Sequence, residues 1–282
     1  MTTTNGGERR AGGAPTPATA SGAAPGRGRL AERRVLIVGG GQQDHGLADP
    51  PIGNGRAMAV LFAREGAAVA VADIDRSSAE RTAVLVRAEG APAAVVVGDA
   101  ADEAAVVSMF SGARDALGGL DGVVLNVGVG AGLFLRGTTV DDWDRVMAVN
   151  VRSQFLGCKH ALQTMTGGAV VLVGSVGARE VLPFPAYGAS KAALESLCRQ
   201  TAVEGAPAIR CNLVVPGLID TPLGRQASEI SAQRSQVRIP ARRQGTAWEV
   251  AHTALFLLGE ESSYITGQRV IVDGGLTIGP RS

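Results

Sequence analysis

The sequence has no excess charge of either sign: 27 Lys+Arg stand against 26 Asp+Glu, a formal net charge of +1. A dedicated nucleic-acid or acidic-membrane binder normally carries a basic patch or stripe, so both classes are set aside. The one local concentration, Arg225, Arg234, Arg238, Arg242 and Arg243, reads as a solvated face. Cysteine is scarce and odd in number. Cys158, Cys198 and Cys211 each sit in apolar or helical surroundings, which fits reduced, buried thiols of a cytoplasmic protein better than a disulfide framework. None of them has metal-ligand spacing to any of the three His, and no metal site is expected. Long apolar runs are missing too. The longest uncharged stretch, Ala161 to Ala178, is interrupted by Gln163, three further polar residues and Gly167-Gly168, so no membrane span is expected. The first thirty residues include Arg9-Arg10 but no apolar h-region, which argues against an export signal. Residues 1–30 are expected to form a disordered tail, and 31–282 a single domain.

What the chain does have is glycine: 39 of 282 residues, about twice the usual share. Gly recurs at irregular spacing, which excludes collagen. Gly and Pro together stay below the roughly 25–30% that marks low-complexity chains. From Arg34 onward, short Val/Ile-rich runs alternate with helical ones. Strands are expected at Val35–Val38, Ala68–Asp73, Ala93–Val97, Gly122–Val127, Ala169–Ser175, Ile209–Val215 and Gln268–Asp273. Helices are expected at Arg56–Gly66, Ser77–Glu89, Asp102–Leu117, Asp141–Met165, within Pro185–Glu204, and at Ala247–Leu258. Near-continuous apolar strands separated by helices predict an α/β, doubly wound, mostly parallel seven-stranded sheet with helices on both faces, a Rossmann fold. Many of the glycines then mark helix stops, such as Gly66 and Gly90, or strand-end turns.

The first strand runs into glycines (Gly39, Gly40, Gly41), and the loop ends at Gly53-Asn54-Gly55 directly before a helix. Glycines let the backbone approach a pyrophosphate, and free N–H groups at a helix start attract its charge. Asp73 ends the next strand, 18 residues beyond Gly55, where an acid binds ribose hydroxyls and repels a 2′-phosphate. NAD is therefore expected rather than NADP. Between Gly40 and Gly53 the loop is far longer than a phosphate turn needs, and His45 with Asp44 and Asp49 reads as structural or as a substrate rim rather than a metal site. The strongest constellation is Tyr187 and Lys191, one helical turn apart, with Ser175 twelve residues upstream at a strand end. A phenol titrates near 10, and a neighbouring ammonium favours the phenolate; a shift of about 3 units needs roughly 4 kcal/mol of differential stabilisation.

On these residues the chain, from about Val35 to Thr277, resembles the short-chain dehydrogenases/reductases in their roughly 250-residue form. Further pieces carry the resemblance. Asp99, with Ala100, follows the third strand where the family meets the adenine. Asn126 and Gly128 stand in the family's Asn-Asn-Ala-Gly turn, and Asn150 matches the fourth member of its catalytic tetrad. Pro216 to Thr221, with Ile219, resembles the segment that holds the nicotinamide carboxamide, and Tyr264–Gly275 the closing strand. The resemblance implies an NAD(H)-dependent oxidoreductase interconverting a secondary alcohol and a ketone. The mixed residues of Leu218–Pro240 leave a cyclic or polyketide-like ketone and a sugar or polyol both open, with a small cyclic or biosynthetic intermediate favoured. In that role Tyr187 is the acid/base, Lys191 tunes it and binds the nicotinamide ribose, Ser175 holds the substrate oxygen, and Asn150 holds a water. It also implies a homotetramer or dimer built on the two long helices, with the substrate loop within Leu218–Pro240.

There are departures. The glycine loop has about nine extra residues, Gly39 replaces Thr and Asn54 replaces Ile. Leu125 replaces the first Asn of the Asn-Asn-Ala-Gly turn, and the Ser175–Tyr187 spacing is one residue short. Imine reduction, a redox-neutral epimerisation or dehydration, and a non-catalytic NAD-binding regulator are the alternatives on the same scaffold; the intact tetrad favours the enzyme.

Overall fold

Parallel strands that are largely apolar on both faces run through the middle of the core. The computed structural model describes residues 17–230 and 237–279. The main strands are β1 (Arg34–Val38), β2 (Ala68–Asp73), β3 (Ala93–Val97), β4 (Gly122–Leu125), β5 (Gly168–Val173) and β6 (Ile209–Pro216). The short pair β7 (Ile219–Asp220) and β8 (Gly245–Thr246) forms a second small sheet, and β9 (Arg269–Val272) closes the main one. The seven-stranded sheet has the order β3-β2-β1-β4-β5-β6-β9, every pair parallel. The strand order reverses between β1 and β4, and ligands of such sheets bind outside the carboxyl ends at that reversal.

The period of two along each strand divides the core. Val35 and Ile37 of β1 face one apolar cluster, and Leu36 and Val38 face the other. Helices α2 (Asn54–Arg64) and α3 (Arg76–Ala88) cover the first face with Phe62, Leu61 and Val86. The other face is covered by α4 (Glu103–Leu117) and by later helices that supply Phe110, Leu156 and Leu194. Helix ends follow local chemistry. Asp75 and Asp102 cap α3 and α4 by accepting from Ser77 N–H and Ala105 N–H. Gly66 and Gly90, both at positive φ, stop α2 and α3.

Two expectations change. The single helix expected over Asp141–Met165 is three pieces. A short α5 (Phe134–Gly137) precedes α6 (Val140–Met147), a π-helical turn spans Ala148–Arg152, and α7 (Ser153–Thr164) follows. Such one-turn π segments interrupt the α ladder and re-aim side chains. Asn150 sits inside this one.

The expected disordered tail is not one throughout. Residues 1–16 lie outside the described residues, but residues 17–30, though mostly exposed, are anchored to the domain at several points. Helix α1 (Ala18–Ser21) buries Ala20, and Leu30 is 1% exposed. Arg64 at the end of α2 donates to the carbonyls of Gly22 and Ala24 (2.6 and 3.1 Å), and Glu65 accepts from Arg27 N–H and Arg29 N–H (2.9 and 3.0 Å). Thr246 Oγ1 donates to Ala20 O at 2.7 Å. Backbone groups make this attachment, so a composition of Gly, Ala and Pro does not announce it.

The remaining helices are α8 (Pro185–Gly205), α9 (Pro222–Ile230) and α10 (Ala247–Leu258). All three cysteines are free and buried, with Cys198 and Cys211 sulfurs 3.9 Å apart. Of the arginines read as a solvated face, Arg225 pairs with Asp220 and Arg243 with Glu249; Arg234 lies outside the described residues. Among the described residues no helix is long and apolar enough to cross a membrane. Leu30→Ala is expected to lower the urea-unfolding free energy by about 2–3 kcal/mol, as for a core leucine. An unpacked segment would give no change.

Candidate active site

The carboxyl ends of β1, β2 and β4 are stitched to the glycine turn by backbone bonds. Gly39 N–H and Gly40 N–H both donate to Ala72 O (2.9 and 3.0 Å). Asn126 N–H donates to Val38 O (2.9 Å), and its side-chain Nδ2 donates to Gly39 O (2.8 Å). Gly39 is at φ +79°, and a side chain on Gly55 would overlap Gly39 O, so the turn and the first residues of α2 are in backbone-to-backbone contact. Gly53 is the N-cap of α2, and the first internal helix bond is Ala57 N–H to Gly53 O. The N–H groups of Asn54, Gly55 and Arg56 precede it and have no carbonyl of their own helix to meet.

Asp73 ends β2 and accepts from Gly41 N–H (2.9 Å) and Asp75 N–H (3.1 Å), one bond per carboxylate oxygen. A carboxylate offers about four lone-pair sites, so acceptor capacity is left over. Gly98 N–H donates to Asp73 O, which sets Asp99 and the buried Ala100 beside it at the end of β3. Asp99 itself is exposed and caps its own turn by accepting from Ala101 N–H. Asn54 Oδ1 is buried without a partner. Free N–H donors at a helix start suit a pyrophosphate, while Asp73 and the orphaned Asn54 oxygen suit ribose hydroxyls. The residues present fit a dinucleotide.

Across the sheet reversal lies the second cluster. Helix α8 opens with Pro185 in its first turn, whose missing N–H costs nothing there. Tyr187 and Lys191 follow one turn apart. Lys191 is 3% exposed; its Nζ donates to Val173 O at 3.0 Å and lies 5.7 Å from the Tyr187 ring centroid. Burial pushes its ammonium down to about 8. Ser175, buried just beyond β5, accepts from Gly177 N–H (3.1 Å) and so caps the short turn that leads toward α8.

Asn150 is fully buried and its amide makes three hydrogen bonds. Val129 N–H donates to its Oδ1 (2.8 Å), while its Nδ2 donates to Val129 O (2.8 Å) and to Ser190 Oγ (3.0 Å). Ser190 Oγ in turn donates to Tyr187 O (2.7 Å). The π turn, the loop after β4 and the first turn of α8 are thus one network. Gly128 sits in it: a Cβ there would lie 3.1 Å from Lys191 Nζ. Ile219 is buried in the core beneath α10, and Thr221 Oγ1 accepts from Gly224 N–H to cap α9.

The structure therefore brings Gly40, Gly53, Asn54, Gly55, Asp73, Asp99 and Asn126 to one side of the sheet reversal and Asn150, Ser175, Tyr187 and Lys191 to the other. Three contributors were not singled out in the sequence. Ser190 lies between two motif residues with no signal of its own. Gln42, at the neck of the extra loop, accepts from Gly53 N–H. The third is an apolar cleft of about 960 Å³ lined by Leu133, Phe134, Leu135, Leu182, Phe184 and Gly188. Its sequence signal is the Leu133-Phe134-Leu135 run between two motifs. Phe134 holds φ +53°, rare for a bulky residue and costing about 1–2 kcal/mol, and its N–H donates to Pro183 O (2.8 Å), tying the two cleft walls together. His45 stands at the tip of the extra loop, and among the described residues no group of three or more His, Cys, Asp or Glu is placed to hold a metal ion.

Known proteins resemble this chain over most of its length. A family model described as enoyl-(acyl carrier protein) reductase matches residues 51–277. The 2-(R)-hydroxypropyl-CoM dehydrogenase of Xanthobacter autotrophicus is 38% identical over 256 residues, 86% of this chain and 98% of its own. A protein of the same organism named inactive 2-(S)-hydroxypropyl-CoM dehydrogenase 2 is 40% identical over 232 residues, 78% of this chain and 99% of its own. Levodione reductase of Leifsonia aquatica is 34% identical, with 88% of this chain and 95% of its own covered. A crystal structure of levodione reductase superposes with a TM-score of 0.81 at 30% identity, covering 89% of this chain and all of that one.

The buried lysine gives a stability prediction. The unfolded chain keeps the Lys191 proton up to about 10.5, while the folded chain releases it from about 8. In that window the unfolded state binds more protons, so stability rises with pH. Lys191→Met is expected to remove a rise of roughly 3 kcal/mol between the two pH values, read from urea unfolding of both proteins. Parallel pH profiles would contradict the burial of the ammonium.

Proposed function

The chain belongs to the short-chain dehydrogenase/reductase family and to the alcohol/ketone oxidoreductases within it, and from that premise we propose that its cofactor is NAD(H) and its substrate a ketone or secondary alcohol with an apolar, ring-sized body. The observation that carries the reading is the pairing of Tyr187 with a buried Lys191 at one mouth of the sheet reversal. When bound, the nicotinamide accepts or returns the hydride. The chain's own residues do the rest. In the oxidative direction Tyr187 takes the hydroxyl proton as the carbinol carbon loses its hydride; in reduction the same phenol returns that proton to the ketone oxygen. Lys191, still mainly ammonium at pH 7, supplies the positive field that favours the phenolate. Ser175 Oγ donates to the substrate oxygen and stabilises the charge that develops there. Asn150 acts through its protein bonds, holding Val129 and Ser190 and so the start of α8.

Asp73 supports NAD: its carboxylate faces the ribose side, where a 2′-phosphate would meet like charge. Asn54, Gly55, Gly53 and Gly40 hold the pyrophosphate turn in this reading, with Asp99, Ala100 and Asn126 on the adenine side and Ile219 and Thr221 toward the carboxamide. The mainly apolar cleft, which reaches Gly188 next to Tyr187 in the chain and also carries Arg136 and Glu180 in its lining, supports a substrate with an apolar body, and the levodione reductase likeness agrees with a ketone. One relative's name marks it inactive. Here the intact Asn150, Ser175, Tyr187 and Lys191 set favours catalysis. A homo-oligomer formed through α7 and α8 and a cytoplasmic location, where the three thiols stay reduced, complete the proposal.

Tyr187→Phe is expected to lower turnover by roughly 10²–10⁴-fold while NADH affinity, measured by fluorescence titration, stays within about twofold. Unchanged turnover would defeat the role. Wild-type protein is expected to bind NADH at least about tenfold tighter than NADPH, a gap of about 1.4 kcal/mol that Asp73→Ala narrows. A preference for NADPH would overturn the cofactor assignment.

A further inference from the structure

The loop between the glycine turn and α2 is about nine residues longer than its family requires, yet the two ends of the phosphate turn are held together. Gln42 holds them. The residue is 7% exposed, and its Oε1 accepts from Gly53 N–H at 2.8 Å, directly bridging the entry of the loop to its exit. Its Nε2 donates to Asp44 Oδ1 at 3.1 Å. Its backbone is clamped as well: Gln42 N–H donates to Ser78 Oγ (2.5 Å), and Ser78 Oγ donates to Gln42 O (2.7 Å). The neck of the loop is therefore cross-linked to itself and hung on α3. Residues 43–52 leave and return without displacing the turn.

We propose that Gln42 is a positioning residue for the pyrophosphate of the dinucleotide: by occupying Gly53 N–H it fixes the mouth of α2, so that the N–H groups of Asn54, Gly55 and Arg56 are left to meet the anion. The proposal rests on the cofactor reading above. Three features support it. The bridge joins the two residues that flank the insertion. An unbridged longer loop has more conformational freedom to lose when its ends are brought together. Arg56 Nε donates to Thr82 Oγ1 (3.0 Å), which turns its side chain toward α3. The neutrality of Gln42 also matters. A carboxylate in its place would still accept from Gly53 N–H, but it would set a negative charge beside Asp44 at the site where the pyrophosphate binds.

That difference separates positioning from simple loop stability. The test compares wild-type, Gln42→Ala and Gln42→Glu proteins for binding of NADH, ADP and adenosine by calorimetry and by competition against NADH. Gln42→Ala is expected to weaken NADH and ADP about tenfold and adenosine by no more than about twofold. Gln42→Glu is expected to weaken ADP further than Gln42→Ala does, again sparing adenosine, because only the phosphates meet the added charge. Unchanged ADP affinity in both variants, or equal losses for ADP and adenosine, would overturn the proposal and leave the cofactor reading intact. Wild-type protein that binds neither NADH nor NADPH would overturn both.

Discussion

An ammonium buried at the carboxyl edge of a parallel sheet is the constraint around which the rest of this site is arranged. Lys191 is held nearly out of water, and burial is what lowers its affinity for a proton. A buried charge of this kind is costly unless other groups satisfy it. Its hydrogen bond here goes to a backbone carbonyl, Val173 O, rather than to a carboxylate. An acidic partner would quench the field that the proposed acid/base role of Tyr187 needs. A carbonyl steadies the ammonium and leaves its net charge in place. Gly128 gives it room, because any side chain there would press on Nζ. The Asn150–Val129–Ser190 network then fixes the first turn of α8, and with it the separation of Tyr187 from Lys191.

The sheet decides where this arrangement can stand. Parallel strands point their carboxyl ends the same way, and the order reverses between β1 and β4, so the loops after these two strands diverge to opposite faces and leave a crevice. The glycine turn and Asp73 line one side of the crevice. The π turn, Ser175 and α8 line the other. Asn126, at the end of β4, bonds back to Gly39 and joins the two halves. The strained Phe134 lies farther out, where a residue held in the left-handed region and bonded to Pro183 helps form a cleft wall at the start of α8.

Much of this is legible in the chain. β2 runs over Ala68–Asp73 as the Val/Ala runs between glycine stops predict, because a strand buried on both faces leaves an uninterrupted apolar signal; β3, half-buried at the sheet edge, keeps a similar apolar run over Ala93–Val97. The Tyr187–Lys191 spacing is legible because one helical turn is a local relation. What escapes is non-local or made by the backbone. The π turn at Asn150 has no composition signal, and it breaks a helix whose periodicity reads as continuous. Residues 17–30 read as a tail because their small side chains say nothing of the carbonyls that Arg64 and Thr246 seek. Gln42 is one polar residue in a polar loop until the fold sets it against Gly53.

The reaction proposed for this site is a balanced two-electron exchange at a carbinol carbon. The most direct test mixes purified wild-type protein with NADH and a panel of alicyclic ketones, following loss of NADH absorbance and formation of alcohol together. Loss of one NADH for each alcohol formed is the predicted result. A product that forms with no change in NADH, or no reaction across the panel in either direction with either cofactor form, would contradict it.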